Sequence, residues 1–453
     1  MESAIGDPSI YRTYRRRWLV LLATCALGCS NAMCWLTFAP VADQIARYFH
    51  ISMDQVNWLS MVYLVVGIPF GFGSTWILDT LGLKTSLILS SWLNLAGCTV
   101  QLLSVAFFVP KDSWKFPLLM VGQTFGAFAQ PLVIFAPTKL AALWFPEQQR
   151  ATANMISSMA NPLGVLFANI LSPLLMKEPS SISLLLGVYI VPAVIACFLT
   201  TIGIREKVPP TPPSAGAATS TSEPFFTGMK MLLKNKAYVI LMICFGGGIG
   251  IFTCFSALLQ QIVCVQGYSN SFAGFCGALF IAFGVFGAFF LGLYVDKTRN
   301  FMETTKIFFC FTALTCIGFA QVSRLEGQAF LLAMVCSLFG LFGLSIYPVG
   351  MELCVECSYP VGEATSTGLV FISGQLQGAL FILLLPGLAQ PMKSNGSYQV
   401  GAALDWTVPT LVMAAICSLE ACCFVIFFHT EYKRASAEDD GQTSPLLGGG
   451  AVQ

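Results

Sequence analysis

Charge is the scarcest property of this chain. Only 10% of its 453 residues are Asp, Glu, Lys or Arg, two are His, and the formal net charge is +1, which gives no indication of a nucleic-acid partner. The sequence also lacks Gly-x-x-x-x-Gly-Lys-Ser/Thr, Gly-x-Ser-x-Gly and His-Glu-x-x-His, the strings that cradle a nucleotide phosphate, present a serine nucleophile or bind a catalytic zinc. An ATP-driven pump is excluded, no enzyme is expected and no cofactor is implied. Cysteine is not scarce: there are 17, almost all in apolar runs where they act as small hydrophobes, so no disulfide framework follows. The one Cys-x-x-Cys, Cys354 and Cys357, has no second pair or nearby His to complete a zinc site, and no metal is assigned.

What is present is hydrocarbon. Hydrophobic residues make up 56% of the chain, Phe alone contributes 38, and the mean hydropathy is +0.75. A helix needs about 20 mostly apolar residues to cross a bilayer. Twelve segments qualify, at 18–41, 56–79, 84–108, 115–142, 152–176, 183–204, 237–263, 271–295, 303–322, 328–352, 364–390 and 406–429. These predict an all-α membrane protein with twelve transmembrane helices in two pseudo-symmetric six-helix bundles, 18–204 and 237–429. A tail, 1–17, precedes them and a polar, disordered tail, 430–453, follows. The joining segment 205–236 contains "VPPTPPSAGAATSTSEP", which cannot bury a core and reads as a solvated linker. The opening "YRTYRRRWLVLLATCALG" imitates a secretory signal, but its apolar run is long and no small-x-small site ends it; an uncleaved first helix is expected.

Lys and Arg accumulate in cytoplasmic loops. The tails and even-numbered loops carry 17 of the 23, which places both chain ends in the cytoplasm. The sequon Asn395-Gly396-Ser397 then falls in the outer loop between the last two spans, where Asn395 is the expected glycan acceptor. Leu446-Leu447 in the tail resembles a sorting dileucine without its usual acid, leaving plasma membrane and endolysosomal membrane both open.

Short features recur in the two halves. "WILDTLGLK" after the second span, with Asp79 and Lys84, is matched by "GLYVDKTRN" after the eighth, with Asp296, Lys297 and Arg299. "WFPEQQRATAN" after the fourth is matched by "YPVGEATSTG" after the tenth. Repeated halves with a substrate site between them are the design of many secondary transporters. The chain resembles the major facilitator superfamily, whose cytoplasmic signature the Asp-x-x-Gly-x-Lys turn is similar to, although Thr75 stands where a Gly is usual. "VNWLSMVYLV", "LAALWFPEQQRATAN", "NPLGV" and "VECSYPVGEATSTG" resemble, more narrowly, the feline-leukaemia-virus-receptor-related branch, solute carrier family 49. That resemblance implies transport of choline-like amines, with haem as a second substrate class.

Site expectations follow from both sources. The four spacings Gly67/Gly71, Gly122/Gly126, Gly246/Gly250 and Gly374/Gly378 read as helix packing. Glu352, Glu356 and Glu363 are the expected gate partners of Lys139 and Arg150, while the resemblance puts Asp79, Lys84, Asp296 and Arg299 in a cytoplasmic latch. Away from span ends the one ionisable residue is Glu420, either a proton-coupling group or a structural acid. With no central Arg and no Asp or His relay, a facilitated carrier of a neutral or cationic solute fits better than an anion or a proton-driven transporter.

Trp35, in "NAMCWLTF", is either an interfacial belt residue or an aromatic face for a cation. The resemblance assigns it to one wall of an amine site that Gln130 and Gln375 complete. The same resemblance puts Thr253 where relatives carry a second aromatic wall, with Phe252 and Phe255 beside it, so the cage is expected to be half open. Asn31 is taken as a helix bridge and as part of the substrate-binding set. The expected partners are a small-molecule substrate and the lipid bilayer, with the protein a monomer. Haem transport and a non-transporting receptor or scaffold are the competing readings.

Overall fold

The computed structural model describes residues 12–106, 112–213, 225–298, 300–391 and 404–432. Among these, twelve helices are long and apolar enough to span a membrane: α1 (Arg16–Phe49), α2 (Met53–Leu78), α3 (Leu83–Ser104), α4 (Ser113–Trp144), α5 (Thr152–Leu175), α6 (Pro179–Gly203), α7 (Lys236–Cys264), α8 (Asn270–Val295), α9 (Phe301–Val322), α10 (Ala329–Ser358), α11 (Ala364–Leu388) and α12 (Thr407–Phe427). The expected fold class is borne out. Strand among the described residues is confined to Gln390–Pro391 pairing with Leu404–Asp405.

Local chemistry sets where helices start and break. α2 opens on a capping box, in which the Gln55 N–H donates to the Ser52 hydroxyl and the Ser52 N–H donates back to the Gln55 side chain. α7 opens on Asn235, whose side-chain oxygen accepts from the Tyr238 N–H. α1 is interrupted after Leu36: Thr37 turns its hydroxyl onto the Met33 and Cys34 carbonyls, Pro40 removes a donor, and a second helical stretch begins at Ala42. α4 breaks at Phe135, two residues before Pro137, and α10 at Leu344 and Ser345, shortly before Pro348. The linker is not structureless throughout, since Phe225–Lys234 forms a helix that packs on α7 and α11.

The helices pack twice in the same pattern. In the first half α1 lies on α5 and α6, α4 on α2 and α3, and α3 on α6; adding six to each number gives the second half, α7 on α11 and α12, α10 on α8 and α9, and α9 on α12. The bundles meet along α2 with α11 and α5 with α8, which the same operation exchanges. This is the relation between the halves of a two-fold repeat. α7 and α11 approach closely because their glycines face each other. A Cβ on Gly250 would lie 2.9 Å from the Gly378 nitrogen, and one on Gly246 3.2 Å from the Gly374 nitrogen.

Both described ends lie on one face. There Arg16 pairs with Glu206 at 3.3 Å, Tyr14 meets Thr211 at 2.9 Å, Lys84 Nζ donates to the Arg205 carbonyl at 2.7 Å, and the Met302 N–H donates to the Tyr432 hydroxyl at 3.1 Å. It is the terminal face below; the other is the far face.

Candidate functional site

A cavity lies between the bundles, with about 1290 Å³ of empty space including its mouth. Every spanning helix except α3 and α6 lines it. Its surface is mainly apolar, with a few polar groups and no Lys, Arg or His. That composition is typical of a small-molecule site.

Trp35, Gln130, Thr253, Gln375 and Glu420 all line this cavity, drawn from α1, α4, α7, α11 and α12. The Trp35 indole N–H donates to the Ser60 carbonyl of α2 at 3.3 Å and is only 5% exposed, so the ring is held rather than free in a lipid belt. Gln130 Oε1 and Gln375 Oε1 are buried and have no hydrogen-bond partner. Buried amide oxygens in a membrane are costly to leave unpaired, and these two line a cavity in which a ligand could pair with them.

Two expected substrate contacts are elsewhere. Asn31 does not line the cavity; its Nδ2 donates to Asn94 Oδ1 at 3.1 Å and to the Gly126 carbonyl at 3.0 Å, tying α1 to α3 and α4. Its bridging role is what the geometry supports, carried by the Nδ2 alone, since its Oδ1 is buried without a partner. Phe255 is also absent from the lining. Its ring packs between Phe280, Phe319 and Phe339, at centroid distances of 4.8, 5.0 and 5.2 Å, inside the second bundle. Phe252, its neighbour, does reach the cavity and stacks on Phe280 at 5.8 Å.

Aromatic walls come from residues the sequence did not single out. Tyr347 of α10 stacks on Phe245 of α7 at 6.3 Å and meets Phe371 of α11 edge-on at 5.9 Å, and all three line the cavity. Asn161 of α5 was missed too; it lines the cavity with its Nδ2 buried and unpartnered. A signal for it existed. Counting from the repeated Ala-Thr pair, Asn161 is ten residues beyond Ala151 and Gln375 eleven beyond Ala364.

Glu420 sits where α12 meets α7. Its carboxyl packs against Gly247, and a Cβ at that position would overlap it. Its Oε2 is buried without a partner. α12 is therefore not peripheral to the cavity at this point.

The gate residues are partly beyond view. Arg299 and Asn395 lie outside the described residues, and the side chains of Asp79, Arg150, Asp296 and Glu363 are likewise outside what is described. Of the rest, Glu352 of α10 accepts from Asn154 Nδ2 of α5 at 3.3 Å, a contact between bundles on the terminal side. Glu356 is buried on the same helix, and Lys84 bonds within its own bundle. The far side has a closure that the sequence reading did not anticipate. Asp43 Oδ1 accepts from Asn270 Nδ2 at 2.7 Å and Gln260 Nε2 at 3.3 Å, and Gln261 Nε2 donates to Asn57 Oδ1 at 2.6 Å.

The sequence profile of the Major Facilitator Superfamily matches residues 22–382. The chain belongs to that superfamily. Within it, the chain is 56% identical to Solute carrier family 49 member A3 of Danio rerio, over 98% of this chain and 93% of the relative, which places it in the solute carrier family 49 branch. It is 30% identical to the Choline/ethanolamine transporter FLVCR1 of Felis catus, over 81% of this chain and 67% of that protein. Among solved structures, a D-xylose-proton symporter superposes with a TM-score of 0.66 at 14% identity, covering 92% of this chain and 98% of its own. That likeness carries the fold. Major facilitator proteins are transporters, not enzymes, so the between-bundle cavity is where a small solute is to be sought.

Proposed function

We propose that this transporter carries a small organic cation, a choline-like or related amine, by alternating access and as a facilitated carrier. The observation that supports this most is the cavity lining: the Trp35 face, further aromatic rings, amide oxygens and one carboxyl, with no cationic side chain. A desolvated cation gains about 2 kcal/mol from an aromatic face, and an uncharged or acidic lining does not repel it. The choline/ethanolamine activity in the name of the FLVCR1 relative agrees with this chemistry. A haem reading has less to rest on, since the lining holds no His or Met and only Cys417 and Tyr347 as possible axial ligands.

The terminal face is cytoplasmic on this reading, because 17 of the 23 Lys and Arg belong to its tails and loops. Asp79, Lys84, Asp296 and Arg299 act in the closure of that face together with Arg150, Glu352, Glu356 and Glu363. Asn395 is its glycan acceptor on the outside. The chain works as a monomer in the plasma membrane or an endolysosomal membrane. Flux of labelled choline and ethanolamine into proteoliposomes tests the reading. A Trp35→Ala variant should lower amine flux about tenfold, as expected for one lost cation–aromatic contact. Absence of flux of either amine through folded protein would rule the reading out.

A further inference from the structure

Among the buried, unpartnered polar atoms of the cavity's described residues, acceptors outnumber donors. Gln130 Oε1, Gln375 Oε1 and Glu420 Oε2 line it buried and unpartnered, and the one orphaned donor among its described residues is Asn161 Nδ2. Each unpaired oxygen costs free energy until a ligand brings an N–H or O–H to it. A quaternary ammonium brings no N–H. Its methyl groups satisfy aromatic faces but leave the oxygens as they were.

The carboxyl also has a prepared place. Gly247 leaves on α7 the space that the Glu420 carboxyl occupies, while the adjacent Gly246 meets Gly374, the neighbour of Gln375. Glu420 and Gln375 therefore flank α7 at one level. The ionisable groups around Glu420 are thiols, Cys417 on its own helix, Cys244 on α7 and Cys316 on α9, and no Lys, Arg or His lines the space. An ionised carboxyl in such surroundings is expensive unless a cation joins it.

We propose that Glu420 is the counter-ion of the transported cation and that, with the Gln375 and Gln130 oxygens, it selects an ammonium that keeps its N–H bonds over a quaternary one. Asn161 then serves as donor to an oxygen elsewhere on the solute. The inference rests on the amine-carrier reading and narrows it to a substrate class.

The test is a methylation series. Fluxes of labelled ethanolamine, N-methylethanolamine, N,N-dimethylethanolamine and choline, all cations at neutral pH, are compared in proteoliposomes holding the full chain. Flux should fall with each methyl, by about tenfold or more across the series, the scale of a lost charged hydrogen bond. Glu420→Gln should slow all four through the lost charge and flatten the series, because its first members lose a charged hydrogen bond as well, and Glu420→Asp should keep part of the slope. Trp35→Ala should slow all four. A flat or rising series in the unmodified protein, with flux still dependent on Trp35, overturns the inference and leaves the amine reading standing. So does a Glu420→Gln variant that changes the pH dependence of flux but not the ranking, which would make the carboxyl a proton carrier. No flux of any of the four through protein that melts cooperatively removes both. The unmodified series needs no variant, so a misfolded Glu420→Gln does not decide the matter.

Discussion

Asn31 and Trp35 are one helical turn apart on α1, yet one bridges helices and the other faces the cavity. The difference lies in their neighbours: Asn94 and the Gly126 carbonyl take the amide, while Ser60 takes only the indole edge and leaves the ring to the cavity. Asn31→Ala should lower the melting temperature, since it leaves the buried Asn94 Oδ1 unpaired at about 1 to 3 kcal/mol. Amine KM measured on the folded fraction should not change; a raised KM would return Asn31 to the substrate site. Side-chain chemistry alone separates these cases poorly. That an amide is buried was legible in the sequence for Asn31, Gln130 and Gln375 alike, but which ones face the cavity depends on the helices around them. Phe255 and Tyr347 make the same point for rings, since both sit in apolar runs and only packing decides that one fills the bundle and the other lines the cavity.

At the level of elements, length and hydropathy located all twelve spans, because each must cross the same hydrocarbon thickness. The interruptions were harder to read. Pro40, Pro137 and Pro348 mark them only by proximity, and the ten-residue helix Phe225–Lys234 is too short to register as a span. The glycine spacings on α7 and α11 could be read as packing, but their pairing across the two helices could not. Gly250→Val should separate these helices, costing about 1 to 3 kcal/mol of stability from overpacking. Gly187→Ala on α6 is the control, since nothing lies within 4 Å of a Cβ there. Equal melting temperatures for the two variants in detergent would mean that the α7–α11 contact is not tight.

For the whole molecule, the question is what sets the balance between its faces. The bundles are held by Asp43 with Asn270 and Gln260 on the far side and by Glu352 with Asn154 on the terminal side. If both act on one rocking equilibrium, weakening either should shift it in opposite directions, by roughly tenfold for each lost charged bond. Cys264 reports the far side, since its thiol donates to Asn270 Oδ1 at 3.3 Å. Asp43→Ala should raise its labelling by an impermeant thiol reagent several-fold, with Cys264→Ser giving the background from the other cysteines, and Asn154→Ala should lower it. A carrier works fastest when neither state dominates, so each single variant should slow amine exchange. Combining Asp43→Ala with Asn154→Ala should restore part of that loss, because the two biases oppose. Losses that simply multiply would mean that the two contacts stabilise their own faces independently, and that the rocking equilibrium is set by the α2–α11 and α5–α8 seams instead.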